Sequence, residues 1–184
     1  MSLTVVLDAC VIFPMPLCDT LLRTAEAGFY RLCLSQEILD EVTRNLIKQG
    51  RIKAEAASRY QGHIKAAFPE AIIEGFEEII NSMTNDPKDR HVLAVAVQSK
   101  ADLIVTFNLT DFPPESLQPF NLQVKHPDDF LIGLCDLYTV NAMAEIIKIQ
   151  AEALKRPPMT VEDLLSRLMV QVPKFTNKIL SSQY

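Results

Sequence analysis

Residues 86–112 read DPKDRHVLAVAVQSKADLIVTFNLTDF, and the order of signals within them decides the architecture. Asp86-Pro87 is a helix start, an acid at the cap followed by a proline where its missing N–H costs nothing. That helix is expected to run to about Lys100. Leu103–Thr106 follows as an apolar, β-branched run too short for a helix, and reads as a buried strand. A helix feeding a fully apolar strand is the repeating unit of a parallel sheet covered on both faces.

The same alternation extends outward in both directions. Leu3–Leu7 is a buried strand ending at Asp8. Pro14 and Pro16 break the chain, and Leu17–Ala27 is expected to be helical, stopped by Gly28. Tyr30–Leu34 is a strand. Ser35 caps a helix to about Gln49, with Ile38, Leu39, Val42 and Leu46 on its apolar face and Gly50 at its end. Lys53 to about Phe68 is a further helix, Ala71–Ile73 a short strand, and Glu77–Met83 helical. Leu122–Val124 is the last expected strand. From Asp128 onward the strand signal vanishes. Leu131–Tyr138, Ala142–Leu154, Val161–Val170 and Lys174–Leu180 read as helices, with Thr160 and Asp163 placed for a capping box after the break Lys155-Arg156-Pro157-Pro158. The expected fold class is α/β, a three-layer α/β/α arrangement with a parallel central sheet over residues 1–127, followed by a helical C-terminal extension over 128–184.

Composition excludes several chemistries. The chain has 184 residues, 48% of them hydrophobic, and a formal net charge of −5, which argues against a general nucleic-acid coat. Against that average, Arg44, Lys48, Arg51, Lys53, Arg59 and Lys65 face the single acid Glu55. This segment is either a phosphate-binding patch or a pair of solvated helix faces. The five glycines are too far apart for a dinucleotide fingerprint or a P-loop. The histidines His63, His91 and His126 form no zinc motif, His91 beside Arg90 reads more as a surface residue than as a phosphate contact, and there is no serine-nucleophile elbow. Cys10, Cys18, Cys33 and Cys135 form no C-x-x-C pair and read as reduced core thiols of a cytoplasmic protein. The amino terminus does not read as a signal peptide, and no apolar stretch approaches the length of a membrane helix.

What remains is carboxylate chemistry. Ligands of open α/β sheets gather at the carboxyl ends of strands. Asp8 ends one strand, and Asn108 and Asp111 follow another; their loops converge if the two strands are neighbours. Glu41, on the helix after Tyr30–Leu34, is preferred to Glu37 and Asp40 because Ile38 and Val42 flank it on the inward stripe. Asp89 sits in the first turn of the helix before Leu103. Asp89 could also serve the helix dipole, while Asn108 and Asp111 could be turn formers. Gathered acids repel one another and demand a cation, and oxygen ligands select Mg²⁺ or Mn²⁺.

Taken in order, VVLDACVIFP, SQEILDEV, NDPKDRHVLAVAV and ADLIVTFNLTDFP resemble the PIN-domain ribonucleases, and most of all the VapC-like toxin components of toxin–antitoxin pairs. The resemblance covers roughly residues 3–126, and the helical tail resembles an extension found in some members. It implies a PIN-like fold and a metal-dependent endoribonuclease in which Asp8, Glu41 and Asp89 hold the metal. The fourth acidic position falls on Asn108, a departure that Asp111 could make good, and Thr106 could hold a carboxylate or water by its hydroxyl. Arg90, or Arg44, Lys48 and Arg51 in the basic segment, would steady the RNA. Implied partners are an RNA substrate, a cognate antitoxin and a second copy of the chain, with no membrane. Two rivals stand beside this reading. A haloacid-dehalogenase-type phosphatase would need an acid where Cys10 stands. A PIN-like module could bind protein or RNA without cleaving, and the neutral Asn108 favours it.

Overall fold

The computed structural model describes residues 3–155 and 157–182. Arg156, in the expected break, and residues 1, 2, 183 and 184, at the ends of the two expected domains, lie outside them. Along the chain the elements are β1 (Thr4–Leu7), α1 (Ala9–Ile12), α2 (Leu17–Glu26), β2 (Arg31–Cys33), α3 (Gln36–Lys48), α4 (Ala54–Ala67), α5 (Arg90–Gln98), β3 (Leu103–Val105), α6 (Pro114–Leu117), β4 (Gln123–Lys125), α7 (Pro127–Tyr138), α8 (Val140–Ala153), α9 (Val161–Leu168) and α10 (Pro173–Ser181). They form two compact units. One holds the chain up to Phe13 together with Tyr30–Lys125; the other holds Pro14–Phe29 together with the residues from His126 onward. Helix α2, inside the span 1–127 expected for the first domain, thus groups with the later helices.

The first unit is built on a four-stranded parallel sheet in the order β2-β1-β3-β4. The central strands carry β-branched and leucine side chains, and every residue of β1 and β3 is buried, so the sheet is covered on both faces. Val5 pairs with Leu103 and Leu7 with Val105. That register brings Asp8 level with Thr106, and the Asp8 N–H donates to the Val105 carbonyl at 3.1 Å. Ser35 caps α3, its Oγ accepting from the Ile38 N–H at 3.1 Å, and Gly50 ends that helix at φ +68°, a conformation that favours glycine.

Three expectations shift. Ala71–Ile73 is no strand of its own but a single parallel bridge from Ile72 to Leu34. Glu77–Ser82 winds as a 3₁₀ helix. The expected start at Asp86-Pro87 is instead a turn: Asp86 Oδ1 accepts from the Lys88 N–H at 2.9 Å, and α5 begins three residues later with Asp89 at its N-cap position. An Asx turn competes for the same local hydrogen bonds as a cap, and here it wins.

Among the described residues the second unit is built of helices, with one isolated antiparallel bridge between Lys155 and Pro158. Helix α8 buries Met143, Ile147, Gln150 and Ala151, one stripe at helical spacing. Gln150 ties α2 to α8: its Oε1 accepts from Thr20 Oγ1 at 2.7 Å, and its Nε2 donates to the Pro16 carbonyl at 3.1 Å. Asp128 caps α10 from a distance in sequence, accepting from the N–H groups of Lys174 at 3.0 Å and Phe175 at 2.8 Å. The Thr160–Asp163 capping box forms as the spacing predicts. On these same helices two large apolar residues face outward, Leu137 at 68% and Ile149 at 44% exposure. Among the described residues no single helix is long and apolar enough to cross a membrane. The apolar pair α7 and α8 is bent by 118° and buries Phe130, Leu131, Leu134, Met143 and Ile147.

Candidate metal centre

Because β1 and β3 are neighbours, the loops at their carboxyl ends face each other and set up the site. Asp8 is buried. Its Oδ2 accepts two hydrogen bonds, from Thr106 Oγ1 at 2.6 Å and from Cys10 Sγ at 3.1 Å. The bridge is braced from β3's end: the Phe107 N–H donates to Cys10 Sγ at 3.3 Å, and the Asn108 N–H donates to Thr106 Oγ1 at 3.0 Å. Both hydrogen bonds to the Asp8 side chain fall on the same carboxylate oxygen.

Beside this bridge lies a cleft of about 520 Å³, lined by Glu37, Glu41, Arg44, Lys88, Asp89, His91, Asn108 and Asp111. Glu41 reaches it from the second turn of α3, Asp89 from the N-cap of α5, and Asn108 and Asp111 from the loop after β3. The loops before α5 and after β3 are joined where the Asp86 N–H donates to the Asp111 carbonyl at 3.1 Å.

The acids feel one another across this space. Asp89 is pushed up to about 7, first by burial, then by Asp8 and Asp111, with a hydrogen bond that its protonated form donates to the Asp111 carboxylate and repulsion from Glu41 adding to it. Glu41 is also raised, by burial and then by Asp8, with His91 and Arg44 opposing. Crowded carboxylates of this kind store repulsion that a cation relieves. The donors facing the cleft are mostly oxygens, which suit a hard divalent ion. Among the described residues no three His, Cys, Asp or Glu side chains stand close enough together to form a coordinating set. The residues therefore fit a cation by charge and donor type, without being drawn in around one.

Arg44 and Lys88 lie on the cleft wall, but Lys48, Arg51 and Arg90 do not. Arg51 is exposed, with Nη1 near the Phe13 carbonyl at 3.5 Å, and Arg90 Nε turns to the Asn85 carbonyl at 3.5 Å. Three residues at the site have no place in the carboxylate pattern. Cys10, read as a core thiol, is part of the Asp8 bridge; its position two residues after the strand-end acid was the available signal. Burial and Asp8 push its thiol up, so the S–H persists as a donor. His91, expected at the surface, is buried, and its Nε2 lies 3.7 Å from Glu41 Oε2. Lys88 gave no signal beyond its place before Asp89.

A parallel sheet with acids at the ends of its central strands defines an open α/β class with its ligand site at the strand ends, and comparison with known sequences narrows that class. A family profile described as the PIN domain matches residues 4–110, and the chain belongs to that family. A second profile, described as the VapC50 C-terminal domain, matches residues 127–181. The chain is 44% identical over 104 residues to a Mycobacterium tuberculosis (strain ATCC 25618 / H37Rv) protein named "Putative ribonuclease VapC50", across 56% of this chain and 61% of that protein. The chain thus matches less than two thirds of that relative's length. No solved structure matches the chain.

Proposed function

We propose that the protein is a divalent-metal-dependent endoribonuclease, the toxin of a toxin–antitoxin pair acting in the cytoplasm. One observation carries this reading: Glu41, Asp89 and Asp111, drawn from three separate segments, line one open cleft, and Asp8, at the end of the neighbouring strand, is close enough to raise both Glu41 and Asp89. Asp8, Glu41 and Asp89 are the residues to hold Mg²⁺ or Mn²⁺, with Asp111 supplying the carboxylate that Asn108 lacks. When bound, such an ion lowers the pKa of a ligated water and neutralises charge on a phosphodiester. Thr106 and Cys10 keep Asp8 in one orientation. Arg44 and Lys88 oppose the phosphates at the cleft wall, while Lys48 and Arg51 serve RNA further along α3 and beyond it. Attack by water rather than by the ribose 2′-hydroxyl leaves a 5′-phosphate on the product. An antitoxin and a second copy of the chain are the partners this reading implies.

The test is RNA cleavage by the full chain with Mg²⁺ or Mn²⁺. Activity should vanish in excess EDTA and in Asp8→Asn, with 5′-phosphate ends on the products. A well-folded Asp8→Asn protein that cleaves at the parent rate would overturn the assignment. The second reading, a PIN-like module that binds protein or RNA without cleaving, is favoured by Asn108, which adds no charge at the cleft. RNA binding with no metal-stimulated cleavage would select it.

A further inference from the structure

Resting on the reading of Glu41 as a metal ligand, we propose that His91 is its positioning residue, with Nε2 donating a hydrogen bond that holds one Glu41 oxygen and leaves the other for the cleft. His91 stands in the first turn of α5, only 6% exposed, its imidazole confined by that burial. Among the described residues Nε2 has no hydrogen-bond partner. A buried polar atom left unpaired costs about 1–3 kcal/mol, a penalty that a folded protein rarely carries without use. The nearest charged partner is Glu41 Oε2 at 3.7 Å, a few tenths of an ångström beyond an N–H···O bond. Glu41 is the side of the pair that can move, since its side chain is 35% exposed against 7% for His91.

The electrostatic setting demands such a donor. Glu41 faces repulsion from Asp8 and Glu37, against attraction from His91 and Arg44. Arg44 is exposed and long, so it supplies charge without fixing direction. The rigid imidazole supplies direction. Partners of this kind beside a metal-binding carboxylate typically matter 10–100-fold for metal affinity or activity.

The test uses the full chain with Mn²⁺ as the probe, followed by calorimetry, with RNA cleavage measured alongside. His91→Leu removes the donor. The expected results are Mn²⁺ affinity about tenfold weaker and kcat reduced at unchanged KM. His91→Gln, whose amide reaches a similar place, should recover most of both. In a Glu41→Gln background, His91→Leu should cost nothing further, because both changes act through one contact. Additive losses, or unchanged Mn²⁺ affinity in a folded His91→Leu protein, would overturn the proposal. If His91→Leu does not fold, NMR of the parent chain with ¹⁵N-labelled imidazoles decides. A protonated Nε2 whose resonance moves on Glu41→Gln supports the contact; an unprotonated Nε2, or one indifferent to that change, rules it out. A parent chain that neither binds Mn²⁺ nor cleaves RNA would sink the nuclease reading, while the NMR measurement still answers for His91.

Discussion

At the level of single residues, the acids of the cleft differ in how they are held. Asp8 is clamped through Oδ2 by Thr106 and Cys10, whereas Asp89 is crowded by its neighbours and raised from 3.8 to about 7. This difference predicts a pH dependence in the metal-free protein. Between about pH 4 and pH 7 the folded state keeps a proton on Asp89 that the unfolded chain has released, so stability falls as pH rises through that window. Asp89 is half-buried, and after allowance for solvent screening the change is about 1–2 kcal/mol. Thermal unfolding at stepped pH in EDTA should show this slope, and Asp89→Asn or added Mg²⁺ should flatten it. A slope of opposite sign would mean that Asp89 is stabilised in its ionised form. Asn108 makes the opposite case. Asn108→Asp adds a further negative charge beside Asp111 and should tighten Mn²⁺ binding while destabilising the metal-free protein. Calorimetry and melting temperature must move in those opposite directions. Loss of Mn²⁺ affinity in Asn108→Asp would show that the amide carbonyl is needed as it is.

At the level of elements, the site is a product of strand adjacency. The β1–β3 register sets Asp8 against Thr106, and one hydroxyl then links the two strand ends. Thr106→Val keeps the shape and deletes the link. It should cost about 10–100-fold in Mn²⁺ affinity or cleavage, and about 1–3 kcal/mol of stability because the Asn108 N–H loses its acceptor and Asp8 a donor. Equal affinity in the Val variant would reduce Thr106 to a packing residue. Much of this was legible in the sequence. Apolar β-branched runs marked the strands, Ser35 and Gly50 marked the ends of α3, and Thr160 with Asp163 marked the start of α9, because each signal is local. The start of α5 was misplaced because Asp86-Pro87 serves an Asx turn as readily as a cap, and only the hydrogen bond to Lys88 distinguishes them. Helix α1 was missed because four residues carry no period. With it went the role of Cys10, whose neighbours Thr106 and Phe107 are almost a hundred positions away. His91 was misread because residues next to an acid cluster are usually solvated, and its burial is set by tertiary packing.

At the level of the whole molecule, the two units do not follow the chain's halves. Helix α2 belongs with α8, held by the buried Thr20–Gln150 contact. A chain ending at residue 125 would therefore leave Leu17 and Leu21 without their helical partners, exposing side chains that are fully buried in the full-length protein. Such a truncation should aggregate or bind a hydrophobic dye, whereas one that also removes Pro14–Phe29 and joins the flanks by a short linker should not. A monomeric, dye-silent chain ending at residue 125 would show that α2 does not depend on the C-terminal helices. The parallel pairing of β1 with β3 also sets a timetable for synthesis. A ribosome that has released the chain up to Lys100 has already delivered Asp8, Glu41 and Asp89, yet Thr106 and Asp111 have still to emerge, and β1 lacks its inner neighbour. The cleft cannot assemble on such a nascent chain. A protein of this proposed activity would thus stay harmless to the messenger being translated beneath it until β3 and the loop after it had left the exit tunnel.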